Sequence, residues 1–444
     1  MDKIAKALKN ANETRALIIG SGVINQVSER IEQQFHGKKV VIVADVTTFE
    51  VAGKEVQASL SENGVEQLDP FIFKDPDIYA EISYAQELEH FLKSNDAIPI
   101  AVGSGTINDL VKLSSHRTGR GYLCVATAAS MDGYTAFGAS ITSEGAKQTF
   151  KCPAPVAVLA DLDIICKAPS DMTASGYADL FSKVTAGADW ILADALGIEP
   201  IDRESWDIVQ GGLKTALHDP AGAREGKIEA IEPLIEGLML GGFAMQAHKS
   251  SRPASGAEHQ FSHLWDMEHH KHNGEAPSHG FKVAIGMLAV TALYEQLLNT
   301  NIKELDVDAC CELWPSYDEM AHTSKEMFKN SDFPEIGFQE SSAKYVDKTQ
   351  LREQLNSLKD NWGTIATDLK EQLYPFEELK NRLQLVGAPT EPEDIGITRE
   401  RLRESFIKAS YIRRRFTVLD IALRTAKMEE WLDGLFGEKG IWKI

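Results

Sequence analysis

Through its first third the chain alternates short apolar runs with amphipathic stretches, and this alternation limits the fold more than any other feature. "TRALIIGSG" reads as a strand running into a turn, "SERIEQQFHG" as a helix closed by Gly37, and "KKVVIVAD" as a buried strand. "EVAGKEVQASLSENG" follows as a helix ending at Gly64, "EQLDPFIF" as a strand and turn, "YAEISYAQELEHFLKSN" as a helix, and "AIPIAVGSG" as a further strand. A strand–helix–strand–helix order predicts a parallel sheet covered on both faces. From Ser170 onward the spacing becomes helical. "SGYADLFSKVTAGADWILADAL", "EAIEPLIEGLMLGGFAMQAHK", "HGFKVAIGMLAVTALYEQLL" and "RERLRESFIKASYIRRRFTVLDIALRTAKMEEWLDGLF" each read as a helix. Pro169 and a capping Ser170 punctuate the change. The expected organisation is an α/β domain over 1–168 and an all-α domain over 169–444. "FKNSDFPEIGFQESSAK" and "LVGAPTEPEDIGI" read as loops, and no internal repeat is visible.

Composition narrows the function. The 444 residues exceed the roughly 250–300 at which one core stops growing, which supports two domains. A net charge of −20 with no dense Lys/Arg run argues against binding a nucleic-acid backbone. The five cysteines, Cys124, Cys152, Cys166, Cys310 and Cys311, are dispersed and form no CxxC pair. That fits a reducing compartment and argues against a thiolate metal site. The N-terminus lacks the pattern of a signal peptide. No apolar run approaches the roughly 20 residues of a membrane span, so a cytoplasmic protein is expected.

Two stretches suggest a nucleotide. In "AIPIAVGSGTINDLVK" a strand passes through Gly103 and Gly105 into a helix. Small residues there admit a pyrophosphate, and the helix N-terminus offers unpaired N–H groups. The spacing is not GxGxxG, and an ordinary strand-to-helix turn fits equally well. Asp45 ends the strand "VVIVAD", where a carboxylate can hold ribose hydroxyls; it could equally cap the next turn. "VATAASMDGYTAFGASIT" is a run of small residues in which Asp132 could bond a substrate hydroxyl.

A third stretch suggests a metal. His259 and His263 are four apart, which in a helix places them on one face about 40° apart. His279 follows in "PSHGFKVAIG", at a turn that could return a third imidazole to the pair. His269, His270 and His272 lie between and read as loop residues. A divalent ion with imidazole ligands also wants a carboxylate. Asp179 sits within an apolar helical face and needs a cationic partner, either Lys183 one turn on or a metal.

The pieces "VGSGTINDLVK", "ATAASMDGYTAFGASI", "GYADLFSKVTAGADW", "SGAEHQFSHLWDM", "SHGFKVAIG" and "GAPTEPEDIGI…YIRRRFTVLDIA" together resemble the glycerol-1-phosphate dehydrogenases, the bacterial branch more than the archaeal. These belong with metal-dependent alcohol dehydrogenases, glycerol dehydrogenases and dehydroquinate synthases. The resemblance implies a dehydroquinate synthase-like fold with a Rossmann-like parallel sheet. It implies reversible reduction of dihydroxyacetone phosphate to sn-glycerol 1-phosphate by NADH or NADPH, feeding phospholipid synthesis. It implies one divalent ion (zinc, with nickel and iron as alternatives) and a homo-oligomer without a membrane span. By motif, Asp179, His259 and His279 would be metal ligands. Asp132 and His263 would act on substrate, with Asp179 beside it. Gly103, Ser104, Gly105, Thr106 and Ile107, with Thr127, Ala128, Ala129 and Ser130, would contact the dinucleotide, and Asp45 its ribose. This chain has Ala136 where archaeal members carry a serine, which removes one hydrogen bond to cofactor. Its "MEHHKHNGEAP" segment is longer than in short-looped relatives. Lys282, Arg413, Arg414 and Arg415 are candidates for the substrate phosphate, although the arginines equally suit a solvated helix face. A polyol dehydrogenase and a lyase of the dehydroquinate synthase kind are the alternative activities. Asp179 argues against the second, whose carboxylate ligand is usually a glutamate.

Overall fold

The computed structural model describes residues 3–143 and 146–444. Packing divides them into two compact units. One comprises Met1–Phe181, Glu204–Ser251 and Leu385–Gly387; the other comprises Ser182–Arg203, Arg252–Gln384 and Ala388–Ile444.

The first unit is built on a parallel sheet. Its strands are β1 (Ala16–Gly20), β2 (Val40–Asp45), β3 (Phe71–Phe73), β4 (Ile98–Gly103), β5 (Leu123–Ala126) and β8 (Ala157–Asp161), in the order β1-β8-β5-β4-β2-β3. Every neighbouring pair is parallel. The central strands are apolar up to their carboxyl ends, where β2 closes on Asp45 and β8 on Asp161, because both faces are covered. Alternate residues point to one face. Val40, Ile42 and Ala44 of β2 therefore join Ile98, Ile100 and Val102 of β4 and Leu123 and Val125 of β5. Helical residues Val27, Ile31, Val56 and Leu60 pack in the same core. The helices Val27–Phe35 and Lys54–Glu62 are followed by Gly37 and Gly64, both in the left-handed region that favours glycine.

Order within the sheet fixes where a ligand can sit. After β2 the chain moves outward to β3; after β4 it moves the opposite way to β5. The switch point therefore falls between the carboxyl ends of β2 and β4, at Asp45 and Gly103, and open parallel sheets bind ligands at such a crevice.

Local departures from the sequence reading have local causes. "EQLDPFIF" forms a continuous ladder only over Phe71–Phe73; Gln67 makes an isolated parallel bridge to Val40, and Pro70, which has no N–H to contribute, lies between the two. The helix expected from Glu50 to Gly64 begins as a short turn, Val46–Thr48, and a π-helical stretch, Phe49–Gly53. A hairpin, β6 (Ala139–Ser143) with β7 (Ala146–Phe150), follows the small-residue run and was not expected.

In the second unit the helices Ala257–Met267 and His279–Asn299 lie closely packed. A Cβ at Gly286 would come 2.4 Å from the Glu258 carbonyl oxygen. The helix His279–Asn299 has the length and composition of a membrane span, at a mean hydropathy of 1.4, against the expectation that no run approaches it. Its apolar window is 78% buried within the protein, which makes it a core helix. The segment read as one long helix near the C-terminus is three: Arg399–Tyr411, Val418–Arg424 and Met428–Phe436. Thr417 and Asp420 form a reciprocal cap that starts the second, and Ala426, at φ 54°, separates the second from the third. The helix read across Ser182 likewise divides into Ser170–Phe181 and Lys183–Ala195.

Candidate active site

The candidate nucleotide stretch begins at the glycine turn. Ser104 stands at the start of the helix Gly105–Arg117, whose first amides lack acceptors within the helix. Neither Gly103 nor Gly105 has a positive φ. Gly103 is required by its neighbour, since a Cβ there would meet Ile107 Cβ at 2.7 Å; a Cβ at 105 would meet the flexible tip of Met131, Cε, at 2.7 Å. Thr106 is half-buried on the first turn of that helix. Asp45 forms a capping box. Its Oδ1 accepts from Thr48 N at 2.8 Å, and Thr48 Oγ1 accepts from Asp45 N at 3.2 Å. Of its two sequence readings, the cap is the one visible in the structure.

The loop after β5 is held from several directions. Thr127 N donates to Gly103 O at 3.1 Å, and Tyr134 OH donates to Ala128 O at 2.8 Å. Burial pushes the Tyr134 phenol well up, so it stays a donor. Ala129 is buried and Ser130 half-buried. Asp132 N donates to Asp179 Oδ2 at 3.0 Å, which ties the loop to the helix Ser170–Phe181. A further anchor escaped the sequence reading. Lys112, 1% exposed, donates through Nζ to the carbonyls of Gly133, Ala136 and Gly138 at 2.8, 2.9 and 3.0 Å. Its signal was a lysine inside the apolar run "LVKLSS". Hydrogen bonds to a charged group contribute roughly 1.5–3 kcal/mol each, and unpaired buried carbonyls add a penalty. Lys112→Met is therefore expected to destabilise the protein by about 3 kcal/mol or more. It should also weaken NADH binding by loosening residues 127–138. Urea unfolding and fluorescence titration read the two effects. A variant with the parent's midpoint and affinity would refute the anchor.

Asp179, His259 and His279 each offer one ligand atom, and these atoms lie within 4.8 Å of one another. Asp179 is fully buried on the helix Ser170–Phe181, His259 is 6% exposed near the start of Ala257–Met267, and His279 opens His279–Asn299. Ring centroids of His259 and His279 are 5.2 Å apart. His263 stands farther off, at 6.3 Å from His259 and 6.4 Å from His279, and is half-buried. One carboxylate and two imidazoles suit a divalent ion of borderline softness, and a three-residue set leaves coordination positions for another ligand.

Two more buried carboxylates, Glu258 beside His259 and Asp189 on the Ala257 amide, were not singled out in the sequence. Burial raises Asp189, and the negative Glu258 adds to it, bringing it to about 7 despite hydrogen bonds from Tyr294, Ala257 and Val418. Burial would raise Glu258 too, but the hydrogen bond from His259 and the His259 charge hold it below the usual carboxylate value.

The other polar candidates are engaged elsewhere. His270 is buried, with Nε2 donating to Ile395 O at 2.6 Å and Nδ1 accepting from Arg401 Nη1 at 2.7 Å. His269 pairs with Asp332, and His272 forms a bridge with Glu275. Lys282 is buried and paired with Asp266. Arg413, Arg414 and Arg415 are not on a helix: they lie in the link before Val418. Arg414 is paired with Glu340 at 2.7 Å, and Arg415 bonds the Ser255 carbonyl. Desolvation, reinforced by Arg252 and Arg413, lowers Arg415 to about 9.

This parallel sheet with its switch-point turn, taken with a buried carboxylate–imidazole group, is the arrangement of a metal-dependent, nucleotide-linked dehydrogenase. Residues 18–169 match the family described as iron-containing alcohol dehydrogenase. A glycerol-1-phosphate dehydrogenase (NAD(P)+) of Halalkalibacterium halodurans is 33% identical over 289 residues, covering 64% of this chain and 71% of the relative. One of Geobacillus thermodenitrificans is 29% identical over 407 residues, covering 91% of each. Among solved structures, a glycerol dehydrogenase of Schizosaccharomyces pombe superposes with a TM-score of 0.58 at 17% identity, covering 95% of this chain and 90% of that one. That likeness concerns the fold. The chain belongs to the glycerol-1-phosphate dehydrogenase family.

Proposed function

We propose that this protein reduces dihydroxyacetone phosphate with NADH or NADPH to sn-glycerol 1-phosphate, and runs the reverse reaction. The observation that carries the reading is the group Asp179, His259 and His279 in a chain similar to curated glycerol-1-phosphate dehydrogenases. Gly103 to Ile107 hold the pyrophosphate at the start of the helix, where unpaired amides and the positive dipole end face an anion. Thr127 to Ser130 line the path of the dinucleotide, and Asp45 accepts from its ribose while capping its own turn. A divalent ion held by Asp179, His259 and His279 would polarise the substrate carbonyl and stabilise negative charge on its oxygen. NADH or NADPH, when bound, would supply the hydride to the carbonyl carbon. His263, beside the ligand group but not part of it, supplies the proton to the oxygen or holds the neighbouring hydroxyl. Asp132 orients a substrate hydroxyl.

The test is NADH and NADPH oxidation by the metal-loaded protein with dihydroxyacetone phosphate and, separately, with dihydroxyacetone. Turnover should require the phosphate ester. Equal rates on both would make the chain a polyol dehydrogenase. Substrate loss without net nucleotide oxidation would place it with the lyases.

A further inference from the structure

Adjacent residues of an α-helix point about 100° apart, so Glu258 and His259 should face different surroundings. Instead the Glu258 side chain, fully buried, turns back along the first turn of Ala257–Met267. Its Oε1 accepts from Gly256 N at 2.5 Å and lies 2.8 Å from His259 Nδ1; its Oε2 accepts from Thr185 Oγ1 at 2.8 Å. Gly256 N–H donates to it, and Thr185 Oγ1, whose one hydrogen also has Ser182 O in reach at 2.9 Å, lies against its other oxygen; these are the surroundings of an acceptor-only carboxylate. His259 Nδ1 must then carry the hydrogen, and the lone pair is left on Nε2.

The surroundings hold this geometry firmly. Asp189 accepts from Ala257 N at 2.7 Å, Val418 N at 2.8 Å and Tyr294 OH at 2.6 Å, so the two amides that open the helix are each held by a buried carboxylate. A Cβ on Gly256 would lie 2.6 Å from Asp189 Oδ2 and 2.8 Å from Glu258 Oε2, so only glycine fits between the acids.

We propose that Glu258 is a positioning residue for the metal centre: it fixes the tautomer and ring orientation of His259 so that Nε2 faces the ion, and it strengthens that nitrogen as a ligand. The inference rests on the reading of His259 as a metal ligand. A carboxylate behind a ligating imidazole sets both its orientation and its basicity, and losing such a partner typically weakens metal binding about 10–100-fold. Nothing in the stretch "SGAEHQF" marks Glu258 apart from its neighbours. Only the backward turn of its side chain does.

The test is metal affinity, measured by competition with a chromophoric chelator, in the wild-type chain, Glu258→Gln and Thr185→Val. Glu258→Gln keeps the volume and removes the charge. It is expected to bind zinc and cobalt about 10–100-fold more weakly and to shift the visible spectrum of bound cobalt. NADH affinity should stay near that of the parent. Thr185→Val, which loses one contact to the acid, should fall between. Nitrogen NMR of the wild-type protein, which needs no variant to fold, should find His259 protonated at Nδ1. Protonation at Nε2, or a Glu258→Gln variant with unaltered metal affinity and cobalt spectrum, overturns this inference alone. A wild-type protein that binds no divalent ion overturns the ligand assignment together with it.

Discussion

Asp179→Ala and His259→Ala are each expected to release the bound divalent ion and to lower turnover by about a thousandfold or more. The size follows from what the ion does. Stabilising charge on a carbonyl oxygen is worth several kcal/mol, and about 4 kcal/mol corresponds to a factor of a thousand in rate. With one member of the set Asp179, His259 and His279 gone, two ligands remain, fewer than a catalytic site of this kind uses. His263→Ala should behave differently. Its ring lies more than 6 Å from both ligand imidazoles, so the metal should stay while turnover drops about a hundredfold or more. Elemental analysis of the purified variants, beside their NADH oxidation rates, separates the two outcomes. Full metal content in His259→Ala would remove it from the ligand set. Loss of metal in His263→Ala would put that residue in its place.

Gly176→Ala should produce the largest structural effect. A Cβ there would lie 1.9 Å from the Ala129 carbonyl oxygen and 2.7 Å from its carbon, so backbone must move against backbone. Neither side yields easily. The helix Ser170–Phe181 is fixed by Tyr177 OH on Leu217 O at 2.9 Å and by Asp132 N on Asp179. The loop is fixed by Tyr134 on Ala128 and by the Lys112 ammonium. Forced overpacking costs about 1–3 kcal/mol where side chains can adjust, and more where the main chain must. The expected result is a loss of at least about 3 kcal/mol in stability, with NADH affinity reduced more than tenfold because Ala129 belongs to the loop proposed to line the cofactor path. Thermal unfolding and nucleotide titration check this. An alanine variant with parental stability and NADH affinity would mean that the loop moves freely, contrary to the close approach.

The periodic parts of the fold were legible in the sequence. β4, β5 and β2 up to its terminal Asp45 are apolar because a covered parallel sheet demands it, and the helices that end near Gly37 and Gly64 carry their own stop signals. Breaks inside helical patterns were not legible. "SYIRRRFTVLD" keeps helical spacing, yet the reciprocal cap of Thr417 and Asp420 starts a new helix there. Of the site, the residue types that bear chemistry stood out because histidines and a carboxylate on apolar faces are unusual. The supporting groups did not. Lys112, Glu258 and Gly176 matter through what they meet in space, three carbonyls, one imidazole and one peptide, and none of these contacts follows from helical or strand periodicity.

The start of the helix His279–Asn299 has one more consequence. Its cap is a neutral serine, Ser278, and no acidic residue occupies its first turn. The first turn that carries His259 has two carboxylates bonded to its leading amides, which offset the partial positive charge of the helix end. The two helices that carry the imidazoles therefore open differently: His279–Asn299 on a hydroxyl, Ala257–Met267 on two buried acids.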